Sequence, residues 1–139
     1  MYRLYVERKP GFDNEAKSYL TQINGFLGIS GVTGVRYFNR YDIENVTEEV
    51  AKISATRIFS EPQSDFVTFE NLPQIEGKQI VWEYLPGQYD QRADSAQQCL
   101  SLLRAGLKDV SFQVKDFIYV RHYGYEQLCL VKNMVYRKN

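Results

Sequence analysis

Two similar stretches of the chain decide its fold: residues 80–90 read IVWEYLPGQYD, and residues 3–13 read RLYVERKPGFD. Each begins with a short run of β-forming residues, continues into a Pro-Gly turn, and ends on an aspartate that precedes helical periodicity. The two Pro-Gly pairs begin at Pro10 and Pro86, which lie 76 residues apart. A recurrence at this distance in a chain of 139 residues predicts one structural unit written twice.

A predicted helix follows each Pro-Gly turn. Apolar residues spaced by three and four positions predict helices over residues 14–27 and 92–107. Asp13 and Asp90 are the expected N-caps, because a carboxylate can accept hydrogen bonds from the free amides of a first helical turn. Gly28 is expected to end the first helix, since glycine tolerates the left-handed conformation of a helix C-terminus.

Each half continues with a predicted strand and a second predicted helix. β-forming residues predict the strands over residues 34–43 and 110–120. The second helix of the first half is expected to begin at Thr47, a favourable N-cap. Its counterpart in the second half is expected over residues 126–136, on the spacing of their apolar side chains. The first half then has a further predicted strand over residues 65–70.

This order of elements predicts an α+β fold with the helices on one face of a sheet. Two β-α-β-α(-β) repeats are expected to form a pseudo-dimer within the chain. Residues 1–70 form the first predicted repeat, residues 71–78 the linker, and residues 79–139 the second repeat, which lacks its last strand.

Composition narrows the class of protein. The 17 basic and 17 acidic side chains cancel, so no electrostatic footprint for nucleic acid is expected. No apolar run approaches the ~18 residues of a membrane span, and no leader sequence is recognised, so a cytoplasmic protein with reduced cysteines is predicted. Aromatic residues make up 14% of the chain, which fits either a sheet core or an interface.

Few side chains offer catalytic chemistry. His122 is the single histidine and is expected at the surface or at the core edge, beside a strand end. Cys99 and Cys129 fall on or near apolar helix faces, so buried structural thiols are expected. One histidine and no CxxC motif exclude a standard zinc site. The glycines within residues 25–34 lack the P-loop pattern and are expected to form a helix end and a turn.

A longer stretch carries a resemblance to a known family. Residues 84–99, YLPGQYDQRADSAQQC, resemble a segment of the large single-chain formylglycinamide ribonucleotide amidotransferases, also called phosphoribosylformylglycinamidine synthases. Residues 5–13, 39–42 and 59–63 resemble further segments of the N-terminal part of that family. The resemblance implies two PurS-like, ferredoxin-like repeats, because the N-terminal domain of the family is similar to a dimer of PurS, the small bridging subunit of the multi-subunit form.

The resemblance also implies a function. The full enzyme is a ligase and glutamine amidotransferase of purine biosynthesis, and it uses ATP and Mg to convert formylglycinamide ribonucleotide to its amidine. Its substrate, ATP and glutaminase sites lie in other domains, so no catalytic residue, metal or cofactor is implied for this chain. A non-catalytic bridging role is implied, with the synthetase and glutaminase domains as partners. The residues expected to contact these domains are Tyr84, Pro86, Gly87, Gln88, Asp90, Gln91, Arg92 and Asp94.

Two other classes stay open. One is a free-standing protein that forms homodimers through an exposed strand edge, because a missing last strand leaves an edge that can pair. The other is a small-ligand-binding protein of ferredoxin-like fold. Neither a nucleic-acid partner nor a membrane partner is expected.

Overall fold

The computed structural model describes residues 1–26, 32–70, 78–85, 87–107 and 117–130. These residues form an α+β fold in which α-helices pack on a five-stranded antiparallel sheet. The elements in chain order are β1 (Tyr2–Arg8), α1 (Asn14–Thr21), a π-helical turn (Gln22–Phe26), β2 (Val32–Glu44), α2 (Glu48–Arg57), β3 (Asp65–Phe69), β4 (Lys78–Glu83), α3 (Gln91–Gly106) and β5 (Tyr119–Leu130).

The two halves of the chain meet in the middle of the sheet. The spatial order is β3-β1-β2-β5-β4, and every neighbouring pair is antiparallel. The long strands β2 and β5 pair along their whole length, from Val32 opposite Leu130 to Glu44 opposite Tyr119. Strands β1 and β4 pair on the outer sides of β2 and β5. The first and second halves therefore share one continuous sheet.

One face of the sheet carries the helices and the main core. Side chains alternate across a strand, so every second residue of β1, β2 and β5 points to this face. The buried core residues contributed by the strands and by helices α2 and α3 are Leu4, Val6, Tyr41, Ile43, Val50, Ala51, Ala55, Ala96, Leu100 and Val120. Helix α1 joins the same face, because the Tyr19 ring stacks on that of Tyr37 in β2.

Two of the three predicted helix N-caps are confirmed. Thr47 accepts a hydrogen bond from the Val50 amide at 3.3 Å, which confirms it as the cap of α2. Asp90 is confirmed as the cap of α3. The predicted cap Asp13 is wrong, because its carboxylate turns back and accepts from the Gly11 amide at 3.2 Å. Asp13 has φ −95° and ψ 43°, outside the extended conformation that directs a side chain at the first helical turn.

The end of the second half differs from the expectation. Residues 126–130, predicted to begin a helix, continue strand β5, and the strand predicted over 110–120 is described only from Tyr119 onward. Because β5 is flanked by β2 and β4, its backbone is paired on both sides, and this pairing overrides a short helical spacing of apolar residues. Residues 110–116 and 131–136 lie outside the described residues.

The first predicted helix is shorter than expected as an α-helix. Helix α1 ends at Thr21, and the π-helical turn continues to Phe26. The expected helix end at Gly28, residues 71–77 of the predicted linker 71–78, and the region after β5 where the last strand was expected to be missing lie outside the described residues. Lys78, predicted as the end of the linker, is the first residue of β4.

Candidate functional site

The segment between β4 and α3 forms a tight loop, here called the Tyr84 loop (residues 84–90). Gly87 has φ +87°, a conformation that favours glycine. The Gln88 side chain accepts from the Leu85 amide at 2.8 Å, and the Gln88 amide donates to the Leu85 carbonyl at 3.0 Å. The loop is therefore held by its own hydrogen bonds. Pro86 lies outside the described residues.

One side of the Tyr84 loop presents large apolar groups outward. Tyr84, Leu85 and Tyr89 are 45%, 68% and 70% exposed. The Tyr89 hydroxyl donates to Asp94 at 2.9 Å, and the Gln98 amide donates to the same carboxylate oxygen at 3.0 Å. These bonds fix the position of the Tyr89 ring while its faces remain open. Exposed aromatic side chains with a fixed orientation are typical of interaction surfaces.

The opposite side of the loop is anchored in the sheet by Asp90. Its Oδ1 accepts from the Arg92 and Ala93 amides at 3.0 and 3.2 Å, which caps α3. Its Oδ2 lies 3.0 Å from Nδ1 of His122. The other ring nitrogen of His122, Nε2, lies 2.7 Å from Oδ1 of Asn39. One carboxylate therefore joins the loop and helix α3 to both central strands.

His122 is an enclosed residue, so its expected position at the surface or core edge is wrong. It is 6% exposed, and its ring stacks on that of Tyr41 with centroids 5.1 Å apart. The reason is the register of β5, which places His122 directly opposite Tyr41 instead of beside a strand end. No pattern in the sequence fixes that register.

Burial lowers the pKa of His122, and the Asp90 carboxylate opposes this effect only in part. The ring is therefore neutral near pH 7. A neutral imidazole has one donor and one acceptor. With the proton on Nδ1, the ring donates to Asp90. Nε2 can then accept a hydrogen bond only when the side-chain amide of Asn39 is turned so that its NH2 group faces the ring.

Arg92 lies at a cavity of about 820 Å³ on the helical face of the sheet. Its guanidinium neighbours the Tyr41 hydroxyl, and it partly offsets the burial that raises the pKa of Tyr41. Tyr37, Asn39 and Tyr41 of β2 contribute to the lining. Of the predicted contact residues, Asp90 and Arg92 thus reach toward the sheet, and Arg92 is at the same time exposed. Tyr84, Gly87, Gln88 and Gln91 are also exposed, and Asp94 holds Tyr89.

A row of aromatic rings leads from helix α1 to the Tyr84 loop. The Tyr19 and Tyr37 centroids are 5.6 Å apart, those of Tyr37 and Trp82 are 6.4 Å apart, and those of Trp82 and Tyr84 are 6.4 Å apart. Trp82 lies over Gly124, its partner in the β4–β5 ladder, where any β-carbon would overlap the indole ring. The contact between Trp82 and Gly124 was not predicted from the sequence. The one indication of it was a glycine inside a run of β-forming residues.

The remaining candidates for chemistry are not assembled into a site. Cys99 is exposed, so its predicted burial is wrong: Ala96 and Leu100 form the buried stripe of α3, and Cys99 lies beside it. Cys129 lies in strand β5 and not on the predicted helix. The described residues contain no group of three or more His, Cys, Asp or Glu side chains that could hold a metal ion.

Among the helices of the described ranges, none combines the length and apolar character needed to cross a membrane. Comparisons of the chain with protein-family models, curated proteins and solved structures found no match. The fold and the site define an α+β domain with an outward-facing loop of tyrosine and leucine side chains, fixed from behind by Asp90.

Proposed function

We propose that the chain is a non-catalytic bridging domain of a phosphoribosylformylglycinamidine synthase. In this role it supports the glutamine- and ATP-dependent conversion of formylglycinamide ribonucleotide to its amidine, with ATP and Mg bound by other domains. The observation that carries the proposal is the two-sided Tyr84 loop. Tyr84, Leu85 and Tyr89 face outward for a partner domain, while Asp90 fixes the loop to helix α3 and strand β5.

The register of the sheet supports the finer fold proposal, two PurS-like repeats related by a pseudo-two-fold axis. Val6 pairs with Asn39 in the first half, and Trp82 pairs with Gly124 in the second. Asn39 and Gly124 also face each other in the central ladder. This is the arrangement expected when equivalent residues of two repeats meet on the axis between them, where an isologous contact pairs a position with its own counterpart.

The surroundings of His122 support a structural role. Its side chain is 3% exposed, and both ring nitrogens are engaged, by Asp90 and by Asn39. A general base must come within hydrogen-bond distance of the proton that it removes, and this ring has no open nitrogen for a substrate. The one histidine of the chain is thus placed to join two strands and a helix.

The proposal is tested by association with an enzyme of this family from which the N-terminal domain has been removed. The chain should bind the remaining synthetase and glutaminase domains in sedimentation velocity. Tyr89→Ser should weaken binding by about tenfold or more, because buried tyrosines are frequent hot spots of interfaces.

Leu102→Ser is the matched control. Leu102 is 75% exposed on α3 and lies outside the Tyr84 loop, so its replacement should leave the affinity unchanged. Equal weakening by the two substitutions, or no complex with the folded chain, would contradict the proposal.

A further inference from the structure

The cavity beside Arg92 has the size of a small-molecule site. Its volume is about 820 Å³, and ligand sites span roughly 300 to 1,000 Å³. Strand β2 contributes Tyr37, Asn39 and Tyr41 to its lining. The lining also includes the carboxylates of Asp13, Glu15, Glu61 and Asp65, of which Asp13 and Asp65 are paired with Lys17 and Arg8. The cavity thus combines an aromatic surface with several hydrogen-bonding groups, as ligand sites usually do.

Two of the arginines around this cavity are already paired. Arg8 lies 3.4 Å from Asp65 of the neighbouring strand β3. Arg36 pairs with Glu7 and lies over the Phe38 ring, on the face of the sheet opposite to Tyr37, Asn39 and Tyr41, so its charge does not point into the cavity.

Arg92 and Arg57 differ from that pair. Both line the cavity, and neither makes an ion pair with a carboxylate in the part of the chain that the structure describes. Glu15 is near enough to raise the pKa of Arg92, but it is not within ion-pair distance of it. The hydroxyl of Tyr41, which neighbours Arg92, is a neutral group. The guanidinium of Arg92 therefore retains donors without an anionic acceptor.

The position of Arg92 is fixed from the backbone side. Its amide donates to Asp90 at 3.0 Å, so the first turn of α3 cannot rotate without breaking the cap. A guanidinium is a planar fork of donors whose geometry matches a carboxylate or a phosphate. Because its backbone is fixed, only the side-chain torsions of Arg92 have to be ordered when an anion binds.

We propose that this cavity binds a small molecule bearing a carboxylate or a phosphate, with Arg92 holding the anionic group. Tyr37, Asn39 and Tyr41 line the cavity beside it from β2. Arg57 contributes positive charge from the end of helix α2. This site is separate from the outward side of the Tyr84 loop, so it does not depend on the bridging function.

The test is a titration followed by NMR of backbone amides and arginine side chains, with inorganic phosphate and with succinate as probes at constant ionic strength. Saturable shifts should centre on Tyr37, Asn39, Tyr41 and Arg92. Arg92→Gln should weaken binding of the preferred probe by about tenfold, because it removes the charged hydrogen-bond donors that hold the anion. The preferred probe identifies the anion as a phosphate or a carboxylate.

Arg121→Gln is the matched control, because Arg121 is an exposed residue of β5 on the face of the sheet opposite to His122 and the helices. It removes the same charge away from the cavity and should leave binding intact. Amide dispersion checks that both variants are folded. Equal loss in both variants, or no saturable shift for either probe, would overturn the proposal.

Discussion

Asp90 and His122 join helix α3 to strand β5 across 3.0 Å, between Oδ2 of the carboxylate and Nδ1 of the ring. The other carboxylate oxygen of Asp90 caps the helix. A single side chain thus completes a helix terminus and satisfies a buried ring nitrogen. Both groups are enclosed by the fold. The cap of helix α3, which local sequence determines, therefore also fixes a tertiary contact with strand β5.

Asp90→Ala should lower the free energy of unfolding by about 2 to 3 kcal/mol, because it removes the cap and leaves a buried histidine nitrogen without a partner. Asp90→Asn should cost less, since asparagine caps equally well and can still pair with a neutral ring. Asp13→Ala is the control and should cost about 0.5 kcal/mol or less, because Asp13 does not cap its helix. Urea unfolding measures all three, and equal costs for Asp90→Ala and Asp13→Ala would refute the assignment.

The stability of the protein should fall as the pH drops below about 6.5, the ordinary pKa of histidine. Burial lowers the pKa of His122 in the folded chain, so the unfolded chain binds the proton first and gains stability relative to the folded one. The free energy of unfolding cannot change by more than about 1.4 kcal/mol per pH unit when one proton is bound.

Because His122 is the single histidine, His122→Gln should remove this slope between about pH 5.5 and 6.5. Thermal or urea unfolding across that range would show it. An unchanged slope in the variant would mean that another group is responsible.

Gly124→Ala should destabilise the fold by about 1 to 3 kcal/mol, as overpacking does, because the added methyl group would overlap the Trp82 ring. Gly106→Ala offers a matched control at the end of α3, where a β-carbon meets nothing within 4 Å. There alanine should be neutral or stabilising by up to about 1 kcal/mol. Chemical unfolding and tryptophan fluorescence report both variants, and a neutral Gly124→Ala would show that Trp82 does not rest on the glycine.

Asp42 should contribute strongly to the stability of the fold through its two arginine partners. Arg3 donates from Nε at 2.9 Å and Arg40 from a terminal nitrogen at 2.9 Å. Burial raises the pKa of Asp42, but the two arginines outweigh it and the pKa lies below its usual value. Asp42→Ala should lower the free energy of unfolding by about 2 kcal/mol. The loss should be smaller than for breaking a fully buried ion pair, because Arg3 is partly exposed.

The stabilisation that Asp42 provides should be constant above about pH 4. It should shrink as the pH falls through the lowered pKa, since a protonated carboxyl no longer binds arginine strongly. Lys52→Ala is the control: Lys52 and Glu48 form a pair in which both side chains are 66% exposed. It should change the free energy of unfolding by no more than about 0.5 kcal/mol. Similar costs for the two substitutions would contradict the assignment.

Much of the fold could be read from the sequence where the signals are local. The strands at Arg3 and Asp65 and the caps at Thr47 and Asp90 follow from alternation and from capping chemistry. Strand β5 was misplaced because its position depends on pairing with β2, a contact between distant parts of the chain.

The site was predictable only in outline for the same reason. The segment around Tyr84 could be singled out as an expected contact with other domains, but its division into an outward and an inward side depends on the partner of Asp90. That partner, His122, lies 32 residues away in the sequence. The burial of His122 and the exposure of Cys99 follow from the register of β5 and from the rotation of α3, neither of which is encoded by neighbouring residues.

The bridging function can be tested by reconstitution of activity. An enzyme of the family without its N-terminal domain would be combined with the folded chain, and synthesis would be measured with glutamine and, separately, with ammonia. A bridging domain should restore glutamine-dependent synthesis, and Tyr89→Ser should reduce this restoration. If the folded chain does not restore glutamine-dependent synthesis, the bridging function is wrong.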